Sequence, residues 1–199
     1  LPGLSAIPAA DSRKKMNAHM TGMRVVEIVK ENLTLSKILT KEAFENAIML
    51  NAAVGGSTNF VLHLLAIAGR VGVDLTLDDF DRVGSRMPFL LNVMPSGKYL
   101  MEDYFYAGGL QVVINEIKEH LHKNVITVNG QSLTDNSLKA KNWNPDVIAS
   151  GQEPILEEGV IAVINGNLCK NGAVIKPSAA SAHLLKHKGR ATARETIED

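Results

Sequence analysis

The stretch VGGSTNFVLHLLAIAG, residues 54–69, joins two helical patterns and decides how they meet. The two glycines allow a close backbone approach, and Ser57, Thr58 and Asn59 are residue types that cap helices. One cap residue is enough for a packing helix, so three in succession need an explanation. Two interpretations remain open. In the first, the stretch has more capping residues than the helix needs and lies at a tight helix–helix contact. In the second, it is a helix start whose free N–H groups face a carboxylate or phosphate.

Helical patterns lie on both sides of this stretch. Residues 12–32 carry Met and Val at three- to four-residue spacing after Asp11, and residues 41–54 follow a Thr40 cap. Farther along, Thr76 begins a capping-box pattern. The remaining predicted elements are a buried strand over 88–97, helices over 101–107 and 110–123, and a strand with a turn over 125–130.

The pattern changes after Trp143. Two Val/Ile-rich strands, VIAVING and AVIKP, are joined through Asn-Gly turns between residues 160 and 177. We therefore predict an α/β fold, with helices around a small sheet in residues 1–155 and the first strands of a β domain in residues 156–199.

Composition excludes several function classes. Lys plus Arg and Asp plus Glu each total 21, so no basic footprint for nucleic acid or membrane lipid is present. The longest apolar run, 60–68, contains His63 and is too short to cross a bilayer. Cys169 is the only cysteine, which rules out an internal disulfide and fits a reducing, cytoplasmic compartment. Both ends have the character of interior sequence, so we expect an internal segment of a longer protein.

Two lysines complete the candidate site. Lys98 follows the predicted strand 88–97, where ligands of α/β sheets gather, and Lys176 ends a strand beside the predicted boundary. Each also has a structural interpretation, as a surface turn for Lys98 and as an edge-strand lysine for Lys176. No residue is predicted to be catalytic, and the histidines show no spacing that predicts a metal site.

Five strings, in order, carry a resemblance to a known family. They are ILTKEAFENAI, GGSTNFVLHLLAIAGRVGVDLTLDDFDRVG, PSGKYLMED, YAGGLQVVI and INGNLCKNGAVIKPSAAS. They resemble the dihydroxy-acid dehydratase and 6-phosphogluconate dehydratase family. The strings NAAVGGSTN, NWNPDVI and KPSAASAHLLKHKGRA are similar to its sugar-acid branch, the arabinonate- and xylonate-type aldonate dehydratases.

The resemblance implies removal of water from a sugar acid to give a 2-keto-3-deoxy acid, in a homodimer or homotetramer. It implies an iron–sulfur cluster, of the 2Fe–2S type, and a magnesium ion. The cluster cysteines lie upstream of the motif matching Leu1-Pro2-Gly3, the magnesium ligands lie outside the chain, and the catalytic serine lies in the C-terminal β-barrel. Residues 1–155 then correspond to the second half of the N-terminal domain, and residues 156–199 to the first barrel strands.

The resemblance also gives the candidate residues a role. Ser57, Thr58, Asn59, Lys98 and Lys176 are expected to bind the substrate, with the GGSTN turn as a wall of its cleft. Two alternatives stay open. One is a dihydroxy-acid dehydratase of branched-chain amino-acid synthesis, and the other is a catalytically inert structural or interaction domain of the same fold.

Overall fold

The computed structural model describes residues 1–3, 6–177, 180–190, 192 and 196. Seven α-helices and one short hairpin make up the regular structure of this part. The helices are α1 (Ser12–Lys30), α2 (Leu35–Ile38), α3 (Lys41–Val54), α4 (Asn59–Val71), α5 (Leu77–Asp79), α6 (Met101–Tyr106) and α7 (Gly109–Glu116); the strands are β1 (Ala162–Ile164) and β2 (Ala173–Ile175). A π-helical turn, Phe80–Gly84, continues α5, and 3₁₀ turns span Asp135–Ser137 and Ala182–Leu184. The predicted α/β class is confirmed.

Local capping signals placed the first long helices correctly. Asp11 accepts a hydrogen bond from the Arg13 N–H at 2.8 Å and starts α1, and the Thr40 hydroxyl accepts from the Ala43 N–H at 3.3 Å and starts α3. Within the described part of the chain, every helix is too short or too polar to span a lipid bilayer.

The helix predicted over 110–123 is shorter in the structure. Helix α7 ends at Glu116, and residues 117–121 form turns. The buried Asn46 explains the early end, because its side chain binds the backbone of His122 through two bonds. The His122 N–H donates to Asn46 Oδ1 at 2.8 Å, and Asn46 Nδ2 donates to the His122 carbonyl at 3.0 Å. These bonds hold residue 122, six residues beyond the end of α7, against α3.

The core consists of two clusters that α3 joins. The larger cluster gathers one side of α3, α7 and the extended segment 87–93, with Leu90 and Ile148 fully buried. The strand predicted over 88–97 is this segment, and it pairs through single bridges, Phe89 to Leu156 and Leu91 to Ile148. The smaller cluster places the other side of α3 against α4 and Phe80.

Strands β1 and β2 pair antiparallel, with Ala162 opposite Ile175 and Ile164 opposite Ala173. The predicted pairing of the two Val/Ile segments is therefore confirmed. Val163 and Val174 pack against the smaller core cluster, so the hairpin lies on the helical body. The division into domains at residue 155 stays a prediction.

A network of charged side chains joins α3 to α5 and the π-helical turn. Asp79 accepts from Lys41 Nζ at 2.8 Å and from Arg82 at 2.7 Å. Arg82 also donates to Glu45 at 2.6 Å, and His122 Nε2 lies 2.6 Å from the second oxygen of Glu45. Burial raises the pKa of Glu45, but hydrogen bonds from Arg82 and His122 outweigh it and leave the pKa below its ordinary value. Both carboxylates are thus held ionised.

Candidate functional site at the start of helix α4

The two glycines of the opening stretch end α3 and pack closely. Gly55 has φ 63° and ψ 45°, the left-handed conformation in which a glycine commonly ends a helix. A Cβ on Gly55 would lie 2.6 Å from the Phe89 ring, and one on Gly56 would lie 1.9 Å from Asn51 Oδ1. The packing interpretation therefore accounts for both glycines.

The three polar residues that follow have different roles. Helix α4 begins at Asn59, the last of these three residues. The reason is that Ser57 caps the helix from outside it, since its Oγ accepts from the Asn59 N–H at 3.2 Å. Thr58 occupies the N-cap position with helical backbone angles and makes no side-chain capping bond. Capping therefore uses one hydroxyl, that of Ser57.

A cavity of about 340 Å³ lies between α4 and the hairpin. Thr58 and Asn59 supply its polar groups at the start of α4. The rest of the wall is largely apolar and consists of Val61, Leu62, Leu65, Leu77, Gly172, Ala173 and Val174. A small molecule with a hydrogen-bonding end and a carbon skeleton suits this shape.

Lys176 connects the hairpin to the same turn. Its ammonium donates to the Gly55 carbonyl at 2.8 Å, two residues before Ser57. Burial lowers the pKa of Lys176, because the ammonium loses water and the carbonyl is a neutral partner. An anionic ligand beside this ammonium would restore the lost solvation and raise that pKa.

Lys98 lies on another loop. Its N–H donates to Asn92 Oδ1 at 3.0 Å, and its ammonium lies 5.5 Å from the centre of the Tyr99 ring. Neither contact involves the start of α4 or Lys176. The structure thus brings four of the five candidate residues, Ser57, Thr58, Asn59 and Lys176, to one turn and leaves Lys98 apart.

Several residues at this site had no signal in the sequence analysis. Phe89 fills the space where a side chain at position 55 would stand, and Asn51 fills the space at position 56. Gly172 and Val174 line the cavity from the hairpin. The Asn171-Gly172 dipeptide predicted a turn, but no local pattern shows which helix a hairpin covers.

An iron–sulfur cluster or a magnesium ion needs several ligating side chains close together. In the ranges that the structure describes, no three His, Cys, Asp or Glu side chains are arranged to hold a metal ion. Cys169 is exposed, and its Sγ lies 3.1 Å from the Gly172 carbonyl in the hairpin loop. The described residues therefore do not fit an iron–sulfur cluster or a magnesium ion.

Comparison with known proteins shows similarity along the whole chain. Residues 1–136 match the family model described as dihydroxy-acid/6-phosphogluconate dehydratase N-terminal, and residues 146–199 match the corresponding C-terminal model. An L-arabinonate dehydratase from Rhizobium leguminosarum bv. trifolii is 56% identical, and an L-arabonate dehydratase from Azospirillum brasilense is 51% identical. A dihydroxy-acid dehydratase from Caldanaerobacter subterraneus is 44% identical. Each alignment covers 100% of this chain and 34–36% of the relative, so the chain spans about a third of their length.

Proposed function

Because the chain belongs to the dihydroxy-acid/6-phosphogluconate dehydratase family, we propose that it is a segment of a hydro-lyase acting on a sugar acid. The product is the 2-keto-3-deoxy acid. The observation that carries the substrate class is the identity of 56% to an L-arabinonate dehydratase over the whole chain, against 44% to a dihydroxy-acid dehydratase.

The reaction defines what a binding wall must recognise. The proton on C2 and the hydroxyl on C3 leave together as water, and the resulting enol rearranges to the 2-keto acid. The substrate therefore offers a carboxylate and hydroxyl groups. In our proposal Thr58 and Asn59, which line the cavity, hydrogen-bond the hydroxyls from the start of α4. The Lys176 ammonium lies outside the lining of the cavity, at the Gly55 carbonyl, and attracts the carboxylate from there.

The groups that carry out the elimination are assigned to other parts of the protein. The 2Fe–2S cluster and the magnesium ion expected from the family do not fit the described side chains, so we derive no step through them. We propose that their ligands and the catalytic base lie outside these 199 residues. A cytoplasmic location and a homo-oligomeric state belong to the same proposal.

The second candidate is a dihydroxy-acid dehydratase of branched-chain amino-acid synthesis. One observation favours it, namely the apolar side of the cavity formed by Val61, Leu65, Leu77 and Val174. A branched alkyl group suits such a wall better than a polyhydroxylated chain does. The third candidate, an inert domain of the same fold, predicts no turnover of either substrate.

A comparison of the two substrates in the complete protein separates these candidates. The protein is assayed for 2-keto acid formation with L-arabinonate and with 2,3-dihydroxy-3-methylbutanoate. We expect the higher kcat/KM with the pentonate. A preference for the branched acid would favour the second candidate, and no product from either would favour the third.

The role of Lys176 is tested by Lys176→Met, with Lys170→Met as the matched control. Lys170 is an exposed lysine of the same hairpin. Loss of a charge-assisted hydrogen bond to the carboxylate, about 1.5–3 kcal/mol, raises KM by about tenfold to a hundredfold. Unchanged kinetics in Lys176→Met would remove this residue from the binding wall, and an equal rise in Lys170→Met would show an effect of charge alone.

A further inference from the structure

A second cavity, of about 440 Å³, lies between α3, the π-helical turn with the residues that follow it, and the segment after α7. It shares no lining residue with the cavity at the start of α4. Its polar lining consists of Arg82, Arg86, His120, His122 and one carboxylate, that of Glu45. Four basic side chains against a single acid make this cavity suited to an anion.

The Glu45 carboxylate is engaged through both of its oxygens. Its Oε1 accepts from Arg82 Nη2 at 2.6 Å, and its Oε2 lies 2.6 Å from His122 Nε2. Arg82 Nη2 also donates to Asp79 at 2.7 Å, so the Arg82 bonds to both carboxylates use the same nitrogen. The Nε–H and Nη1–H groups of Arg82 have no acceptor among the described residues. Part of the Arg82 guanidinium is thus available to a ligand.

The Arg86 side chain is exposed, and it forms neither a hydrogen bond nor an ion pair within the ranges that the structure describes. The His120 ring makes no hydrogen bond with these residues either. The carboxylate next to it in sequence, Glu119, is bound by Lys123 Nζ at 2.7 Å. The Arg86 charge therefore lacks a counter-ion in this part of the chain, and an anion in the cavity would supply one.

The backbone is fixed on both walls of the cavity. Next to Arg86, the Ser85 carbonyl accepts from the Gly159 N–H at 3.1 Å. On the other wall, two hydrogen bonds with the Asn46 side chain hold the backbone of His122. The π-helical turn, which carries one of the two arginines, is a rare conformation that often occurs at functional sites. A ligand would therefore meet a backbone that is already in place, which lowers the entropic cost of binding.

The donors at this cavity favour a phosphate group over a carboxylate. A guanidinium group donates parallel pairs of hydrogen bonds to phosphate oxygens. Because phosphate oxygens point in tetrahedral directions, one group can accept from Arg82, Arg86 and His120 at the same time, whereas the two oxygens of a carboxylate lie in one plane. A volume of about 440 Å³ also leaves room for a small carbon skeleton.

We propose that this cavity is a binding site for a phosphate group, held by Arg86, by the free N–H groups of Arg82 and by His120. The group comes either from inorganic phosphate or from a phosphate ester of a small metabolite. The inference does not rest on the proposed activity, since this cavity and the cavity at the start of α4 have different linings. Occupation by an acidic side chain from another part of the complete protein is the competing outcome.

Equilibrium dialysis of the complete protein against radiolabelled inorganic phosphate, at constant ionic strength, tests the proposal. We expect saturable binding whose dissociation constant rises at least about tenfold in Arg86→Gln, because this variant loses a charge-assisted pair of hydrogen bonds. Arg70→Gln is the matched control, because Arg70 is also an exposed arginine and does not line the cavity. It should leave the dissociation constant unchanged.

Displacement of the labelled phosphate identifies the source of the group. Stronger displacement by glycerol 3-phosphate than by unlabelled phosphate would identify an ester as the ligand, and weaker displacement would identify the free anion; both results support a phosphate site. Acetate that displaces the label as well as phosphate does would overturn the assignment to phosphate. No saturable binding, or the same dissociation constant in Arg86→Gln and Arg70→Gln, would overturn the proposal and favour an acidic side chain in the cavity.

Discussion

Asp79 offers a direct test of the charge network, through the variant Asp79→Asn. The carboxylate is 13% exposed and accepts from Lys41 Nζ at 2.8 Å, from Arg82 at 2.7 Å and from the Thr76 N–H at 2.9 Å. Burial raises the pKa of Asp79, but these donors outweigh it and lower the pKa from 3.8 to about 2. Asparagine keeps the shape of the side chain and removes its charge.

The expected loss of stability follows from that shift. At about 1.4 kcal/mol per pKa unit, a fall from 3.8 to about 2 stabilises the folded chain by about 2 kcal/mol at pH 7. Because the folded-state pKa is the lower one, this contribution is complete well above pH 3.8 and is lost as the pH falls toward 2. About half of it remains at pH 3.

Urea denaturation at pH 7, 5 and 3 measures the difference in unfolding free energy between wild type and Asp79→Asn. We expect a difference of about 2 kcal/mol at pH 7, declining to about 1 kcal/mol at pH 3. Asp78→Asn is the control, because Asp78 is the preceding, exposed carboxylate. It should change stability by less than about 0.5 kcal/mol. A difference for Asp79→Asn that is equal at pH 7 and pH 3 would refute the reasoning, since the effect would then be steric.

Three further predictions concern the glycine turn, the thiol and the metals. Gly55→Ala should lower the free energy of unfolding by more than about 2 kcal/mol, because the new Cβ would meet the Phe89 ring. Gly72 is also left-handed but has open space around it, so Gly72→Ala should cost only about 1 kcal/mol. Comparable losses for the two variants in thermal unfolding would contradict the role of the Phe89 contact. Cys169 should react with a thiol reagent in the native state at the rate of an exposed thiol, and slow labelling would contradict its exposure. The 199-residue chain alone should bind neither iron nor magnesium stoichiometrically by elemental analysis, and one firmly bound iron per chain would contradict the assignment of the ligands elsewhere.

Local signals predicted the elements that local interactions determine. Helix α3 runs over the residues expected from the Thr40 cap and the glycine that follows. The Thr76 capping box is present, with the Asp79 side chain accepting from the Thr76 N–H. Such motifs close within a few residues, so the sequence alone contains their partners.

Features that depend on distant partners could not be predicted in this way. The early end of α7 depends on Asn46, which lies 76 residues before His122. The methionine spacing predicted helix α1 but could not show that the Met and Val side chains of this helix are exposed in the structure. At the candidate site, residues 57–59 attracted attention by composition, whereas the cavity beside them exists because a hairpin more than a hundred residues later packs there.

The bond between Lys176 and Gly55 has a consequence for the order of folding. It joins positions 121 residues apart, so a long loop must close before the bond can form. Loop closure on this scale costs entropy, which is offset by contacts of the hairpin with the assembled α3–α4 turn and with the smaller core cluster. We therefore expect the hairpin to dock late, onto helices that have already formed. Substitutions in the hairpin should then mainly accelerate unfolding and leave the refolding rate nearly unchanged.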